Sequence, residues 1–170
     1  MDSLKRFSIS IASLHEEEKT FEYLIQDYFF KLFEYSLIQR GNFKVRVDIE
    51  KRPKMIHLSF EITGTVNTPC DRCLDEFDMP VQRNHTLILK TGVGESDDPL
   101  IAFISKGALN FNIGKYIYEF ITLSIPMIKT HDLAGEKCNE HMLKYQQPPE
   151  KEDNDDDNAL WDDLKKIKFN

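Results

Sequence analysis

Apolar and polar residues alternate along several stretches of the chain, and a period of two predicts β-strands. Arg52-Pro53-Lys54 predicts a turn between the predicted strands 43–50 and 56–62, so these two strands form a β-hairpin with one buried and one solvated face. An acidic loop at 92–99 precedes the last strand. Strands are predicted at 6–14, 43–50, 56–62, about 80–90 and 100–105.

A period of 3.6 residues appears twice and predicts two amphipathic helices. The first helix is predicted over 21–33 and is followed by Gly41-Asn42, which interrupts the pattern. The second helix begins near Asn112 and ends at Pro126, because proline removes a backbone donor and clashes with the preceding turn. The apolar positions are Phe21, Leu24, Ile25, Tyr28, Phe29, Leu32 and Phe33 in the first helix, and Ile113, Tyr116, Ile117, Phe120, Ile121 and Leu123 in the second.

Together these elements predict an α+β fold, a curled antiparallel meander of strands packed with two amphipathic helices, over residues 1–147. The strand connections are short, which disfavours parallel crossovers. The acidic, proline-led segment 148–158 is predicted to be a disordered linker. Segment 159–170 is predicted to be a short C-terminal helix that docks on a partner or on its own domain. Its apolar face contains Leu160, Trp161, Leu164 and Ile167.

Composition narrows the functional classes. The chain of 170 residues is 41% apolar and 30% charged, as in soluble globular proteins. No apolar run approaches the roughly 20 residues of a membrane span, and residues 7–11 alternate instead of forming the apolar core of a signal peptide. The three cysteines are an odd number in a chain without an export signal, which fits a reducing compartment. We therefore expect a cytoplasmic protein without membrane contact.

The net charge of −7 is concentrated near the C-terminus. Segment 148–158 contributes −5 and segment 159–170 contributes +1, which leaves −3 on residues 1–147. This nearly balanced body lacks the general electrostatic footprint of a nucleic-acid binder. Contact with RNA would therefore need a local basic patch.

Cys70 and Cys73 have the C-x-x-C spacing with which two thiolates chelate one metal ion from a tight turn. A structural zinc site needs two more ligands. Cys138 and His141 form a C-x-x-H pair, and His131 is a chemically equal alternative to His141. These residues are candidate zinc ligands. The alternative is that the cysteines are small apolar residues buried at a strand junction.

No motif in the sequence predicts catalysis. A Gly-rich phosphate loop, a nucleophile elbow and a helical pair of metal-binding histidines are all missing. A redox role is disfavoured because the C-x-x-C lies between strands and not at a helix N-terminus, and because Asp71 and Asp75 oppose thiolate formation. We therefore expect neither an enzyme nor a small-molecule substrate.

The cysteine motif and its neighbours resemble the YceD family, described as the large ribosomal RNA subunit accumulation protein, and especially its Bacteroidetes-type members. The resemblance rests on the predicted amphipathic helix before Gly41, Gly64-Thr65-Val66, the run Cys70-Asp71-Arg72-Cys73-Leu74-Asp75-Glu76-Phe77, residues 117–126, His131, Cys138-Asn139 and residues 161–166. It implies a role in 23S ribosomal RNA accumulation and large-subunit assembly, in the bacterial cytoplasm or in plastids, with no established enzymatic activity. Genes of the family commonly neighbour that of ribosomal protein L32.

Two modes of action fit this implied role, and the sequence leaves both open. In the first, basic side chains contact the phosphates of ribosomal RNA or of a large-subunit precursor. The same charges could instead form an ordinary solvated face of the sheet. In the second, the acidic segment 148–158 attracts a basic ribosomal protein, L32 among the candidates, and Trp161 docks on it. The candidate RNA contacts are Lys44, Arg46, Lys51, Arg52, Lys54, Arg72 and Arg83.

Overall fold

The computed structural model describes residues 4–12, 14, 19–92, 94 and 96–146. The strands of this part are β1 (Ser8–Ser10), β2 (Lys19–Ile25), β3 (Gly41–Arg52), β4 (Met55–Pro69), β5 (Glu76–Thr91), β6 (Ile101–Ile104) and β7 (Asn110–Asn112). The helices are α1 (Asp27–Phe30), α2 (Gly114–Ser124) and α3 (Glu140–Leu143), and 3₁₀ turns occupy Lys5–Phe7, His131–Ala134 and Lys144–Gln146. The predicted α+β class is confirmed.

Within the described residues, the larger sheet has the strand order β2-β3-β4-β5-β6. β3, β4 and β5 form a long antiparallel meander, in which Arg52 faces Met55 at one turn and Pro69 faces Glu76 at the next. The predicted hairpin and its turn are therefore confirmed. The next strand is also confirmed, and it is longer than expected, with Val81, Leu87 and Leu89 buried.

The core lies between the inner face of this sheet and α2. Alternate residues of β3 and β4 are buried, as the period of two predicts, and α2 packs onto them through Ile117, Phe120 and Ile121. The ring of Phe120 meets Phe60 edge-on at 5.0 Å between centroids and stacks on His85 at 4.7 Å. Each fully buried side chain of this size contributes about 1.5–3 kcal/mol. The second predicted helix is thus confirmed.

The first predicted helix, 21–33, is wrong over most of its length. Residues 19–25 form β2, which pairs with β3 from Lys19↔Ile49 to Ile25↔Phe43, and only α1 is helical. Tyr23, outside the predicted apolar face, is half-buried, whereas Leu24 is 67% exposed. A short apolar run rich in aromatic residues fits both the helical period of 3.6 and the strand period of two. Here, pairing with the edge of β3 makes the run a strand.

The ends of the fold also differ from the expected antiparallel meander. β6 pairs with the end of β5 in parallel, from Ile88↔Ile101 to Thr91↔Ile104. Only four residue pairs join the two strands, so the segment between β5 and β6 has to run back only roughly 13 Å along the sheet. This distance needs no long crossover connection. The predicted strand 6–14 is reduced to β1, which forms a separate ribbon with β7, a strand that the sequence pattern did not indicate.

Two predictions on the C-terminal part, the linker 148–158 and the helix within 159–170, lie outside the described residues. In the part of the chain that is described, no helix has the length and apolar character needed to cross a membrane.

Gly64 permits the close approach of β3 and β4. A Cβ atom at this position would lie 2.2 Å from the carbonyl oxygen of Asn42 and 2.6 Å from the Cα atom of Phe43. Both are backbone atoms in a paired strand, so they cannot move aside as a flexible side chain would. We expect Gly64→Ala to lower the free energy of unfolding by about 1–3 kcal/mol, the usual cost of overpacking.

Chemical denaturation monitored by circular dichroism measures this change. Thr63→Ala is the control, because Thr63 is exposed and such surface changes stay within about 0.5 kcal/mol. Equal stability of the two variants would contradict the prediction.

Candidate metal centre

The turn between β4 and β5 presents two sulfur atoms. The turn is closed by hydrogen bonds from the Leu74 N–H to the Cys70 carbonyl at 2.9 Å and from the Cys70 N–H to the Asp75 carbonyl at 2.9 Å. The N–H of Arg72 also points to the Cys70 sulfur at 3.4 Å. Leu74 has a φ of 64° and is the single non-glycine residue with positive φ in the described part of the chain. This conformation costs about 1–2 kcal/mol, so the turn is strained.

A second loop, which follows α2, supplies the other two donor atoms. His131 opens a 3₁₀ turn that ends at Gly135, whose φ of 71° is in the left-handed region that favours glycine. The His131 ring is buried and packs on the ring of Phe77 at 4.5 Å between centroids. Cys138 follows the turn and is half-buried. Neither loop carries all four donors, so the site exists only when the two loops meet.

The four donor atoms of Cys70, Cys73, His131 and Cys138 all lie within 4.8 Å of one another. The Cys70 and Cys138 sulfurs are 3.7 Å apart, and His131 Nδ1 lies 3.4 Å from the Cys73 sulfur and 3.7 Å from the Cys138 sulfur. A tetrahedral zinc ion with ordinary bond lengths separates two sulfurs by about 3.8 Å and a sulfur from a nitrogen by about 3.6 Å. The spacing of the donors therefore fits a metal ion such as zinc.

The thiol pKa values within the cluster diverge. Burial by itself would raise the pKa of Cys70. Hydrogen bonds from the backbone N–H groups of Cys73, Arg72 and His131 outweigh this effect, so the pKa of Cys70 is lowered. Burial, followed by hydrogen bonds to the thiols of Cys70 and Cys73, raises the pKa of Cys138. A metal ion would need all three sulfurs as thiolates. These opposite shifts favour a thiolate at Cys70 and a protonated thiol at Cys138.

Polar contacts hold the two loops together around the cluster. The Asp71 N–H donates to the Lys129 carbonyl at 2.7 Å, and the Lys129 N–H donates to the Asp71 carboxylate at 2.6 Å. On the other side, the Asn139 amide donates to the Asp75 carboxylate at 2.9 Å. Such outer contacts orient ligands and tune metal affinity.

Arg72, a candidate RNA contact, belongs to the same set of polar contacts. Its guanidinium lies 2.7 Å from the carboxylate of Asp132, which stands in the His131–Ala134 turn. The C-x-x-C motif predicted the two cysteines of the centre, but no local signal predicted Lys129, Asp132 and Asn139 as partners of the turn.

The sequence comparison identifies the family. Residues 58–168, nearly two thirds of the chain, match the family model described as "Large ribosomal RNA subunit accumulation protein YceD". The chain belongs to the YceD family. The match covers the two loops of the metal centre and excludes β1, β2 and β3. Searches of curated proteins and of solved structures find no match.

The structure of this YceD-family chain separates the two histidine candidates. His131 joins the three cysteines, whereas His141 is exposed and is not part of the cluster. Its backbone N–H instead donates to the Asn139 side chain at 3.0 Å, at the start of α3. Spacing alone made the two histidines equivalent, and the path of the chain after α2 distinguishes them.

Several of the predicted RNA contacts are paired with acids on the outer face of the sheet. Lys44 lies 3.0 Å from Glu22, Arg46 lies 3.2 Å from Asp48, and Arg52 lies 2.9 Å from Glu50. Lys51 donates to the carbonyl of Leu14 at 2.6 Å. Lys54 and Arg83 are exposed. The predicted docking residues Leu160, Trp161 and Leu164 lie outside the described residues.

We predict that His131→Ala abolishes stoichiometric zinc binding and that His141→Ala leaves it intact. Loss of a ligand should lower zinc affinity by more than the 10–100-fold that outer contacts typically contribute. Metal analysis of the purified variants and competition with a chromogenic chelator measure this difference. Equal loss of zinc in both variants, or retention in both, would contradict the assignment of His131.

We also predict that zinc binding releases protons, because burial and the neighbouring thiols raise the pKa of Cys138 and so favour its protonated form before the metal binds. The apparent affinity should fall by about tenfold per pH unit for each proton released. Titration calorimetry in two buffers with different heats of ionisation counts the protons. An affinity that does not change between neutral and mildly acidic pH would show that the thiols are already ionised.

Proposed function

We propose that this YceD-family chain is a non-catalytic ribosome-biogenesis factor that promotes 23S ribosomal RNA accumulation and large-subunit assembly. It acts by binding a large-subunit precursor, and a structural zinc ion maintains the shape of the binding region. Family membership supports the process. The single observation that supports the zinc ion is the cluster of three sulfurs and one ring nitrogen.

The donor set favours a structural zinc ion over a catalytic one. Three thiolates and one imidazole are soft and borderline ligands that suit zinc better than calcium or magnesium. Four protein donors also complete a tetrahedron, whereas a catalytic zinc keeps one position for water or substrate. Such an ion would connect the β4–β5 turn to the loop after α2. This closed donor set supports a role in folding and binding, without chemistry at the metal.

The charge of the outer sheet face favours a basic protein as the direct partner within the precursor. Lys44, Arg46 and Arg52 are paired with carboxylates, and such exposed pairs neutralise cations that would otherwise contact phosphate. Glu61 adds an exposed carboxylate opposite Arg46 in the register. A cationic ribosomal protein, with L32 as one candidate, complements Glu61 and the acidic segment 148–158.

Direct RNA contact is a second candidate, supported by the exposed side chains of Lys54 and Arg83. If contact were limited to these two cations, the salt dependence would be shallow. Each neutralised phosphate contributes about −0.9 to the slope of log affinity against log salt, so the slope would be about −2. A steep salt dependence would point to additional basic residues.

We predict that the tagged full-length protein sediments with large-subunit precursors in sucrose gradients at low salt. Zinc-deficient His131→Ala should shift toward the top of the gradient, and His141→Ala should sediment like the wild-type protein. Immunoblotting of the fractions measures the shift. If the wild-type protein remains wholly at the top, the proposed particle binding is wrong.

A charge reversal at Glu61 distinguishes the two direct partners, because it affects them with opposite signs. Glu61→Lys should weaken binding of a basic ribosomal protein and strengthen contact with RNA, each by about 1 kcal/mol, a factor of about 5. Pull-downs with and without ribonuclease, quantified for ribosomal proteins and for 23S fragments, measure both effects. Asp97→Lys is the control, because this substitution makes the same change of charge at an exposed position in the 92–99 loop.

A further inference from the structure

A groove opens beside the metal centre, between the segment that follows α1, the end of β4 and the C-terminal end of α2. Its volume is about 240 Å³, and its lining includes the apolar residues Leu37, Ile38, Val66 and Ile125 and the hydroxyl residues Thr68 and Thr122. Pockets for drug-sized ligands typically measure about 300–1,000 Å³. The groove therefore suits one or two large side chains better than an entire small molecule.

Leu37 in the groove lining, and several residues close in sequence to other lining residues, are large and exposed apolar side chains. Leu37 is 85% exposed, and Leu123, Met127 and Ile128 are 71%, 96% and 71% exposed. Leu123 and Ile128 are neighbours in sequence of the groove residues Thr122 and Lys129. Exposed apolar residues concentrated around a groove mark an interaction site more often than scattered ones do.

The described residues that precede the C-terminal segment lie close to the groove. Cys138 lies 3.7 Å from Cys70, which is two residues beyond the groove residue Thr68, and Lys129 of the groove is hydrogen-bonded to Asp71. Residues 140–146 follow Cys138 as short helical turns, so Gln146 lies within about 20 Å of the metal centre. The 13 residues 147–159 can span up to about 43 Å. Segment 159–170 can therefore reach the groove.

The composition of segment 159–170 complements the groove. Leu160, Trp161, Leu164 and Ile167 recur at helical spacing, and Trp161 is the single tryptophan of the chain. A buried tryptophan needs an apolar surface for its ring and an acceptor for its indole N–H. The groove offers an apolar floor together with the oxygens of Thr68 and Thr122. The family match also continues to residue 168, across the acidic segment.

We propose that segment 159–170 docks on its own domain, with the side chain of Trp161 in this groove. The docked segment would cover Leu37 and the apolar end of α2, beside the loops that hold the zinc ligands. This inference goes beyond the proposed role in ribosome biogenesis and does not rest on it. A second copy of the chain and a ribosomal partner are the competing occupants, and the experiment distinguishes them.

Tryptophan fluorescence of the full-length protein tests the proposal directly, because all of the signal comes from Trp161. We expect emission to be blue-shifted and acrylamide quenching to be slower than in the denatured chain. Leu37→Glu should lower the ratio of docked to free segment by about tenfold, equal to about 1.4 kcal/mol. Leu24→Glu is the matched control, since Leu24 is 67% exposed on the outer face of the sheet. Circular dichroism verifies that both variants are folded.

Each outcome supports or overturns the proposal. The proposal is supported if Trp161 is shielded from quenching at every protein concentration, if Leu37→Glu removes this shielding and if Leu24→Glu retains it. Native quenching equal to that of the denatured chain overturns it, as does shielding that Leu37→Glu leaves unchanged. Shielding that appears only as the protein dimerises in analytical ultracentrifugation assigns the groove to a second copy. Shielding that appears only on addition of large-subunit precursors assigns it to a ribosomal partner.

Discussion

The antiparallel pairing of β4 with β5 organises both the core and the candidate metal centre of this chain. Its register runs from Met55↔Lys90 to Pro69↔Glu76, so it sets which side chains of both strands face the core. It also places the C-x-x-C turn at the end of the ladder, and Phe77 where its ring supports His131. A slip of one residue would turn the apolar set outward and remove the support of the metal centre.

The segment that follows α2 meets the sheet at the candidate metal centre. In the described residues after α2, the regular structure consists of two 3₁₀ turns and the four-residue helix α3. The donor cluster, the Asp71–Lys129 contacts and the Arg72–Asp132 ion pair connect this part to the rigid sheet. A metal ion here would therefore contribute mainly to local order, since the sheet and α2 form their own core.

Ion pairs on the outer face of the sheet neutralise several basic residues of the hairpin. In the sequence they form a local excess of cations between 44 and 54. In the structure the neighbouring strand contributes Glu22 beside Lys44, and pairs within β3 neutralise Arg46 and Arg52. Exposed pairs of this kind add little stability, about 0–1 kcal/mol, but they remove the excess positive charge that RNA binding requires.

Local pattern was enough to predict the hairpin, α2, the candidate ligands Cys70 and Cys73, and the YceD-family resemblance. Features that depend on distant partners could not be predicted in this way. Pairing with β3 made 19–25 a strand although its residues also fit a helical period, and the short return after β5 made β6 parallel. The path after α2 brought His131 to the sulfurs and left His141 exposed. Periodicity shows which faces can be buried, but which faces meet depends on partner strands and loop paths that are tens of residues away in the sequence.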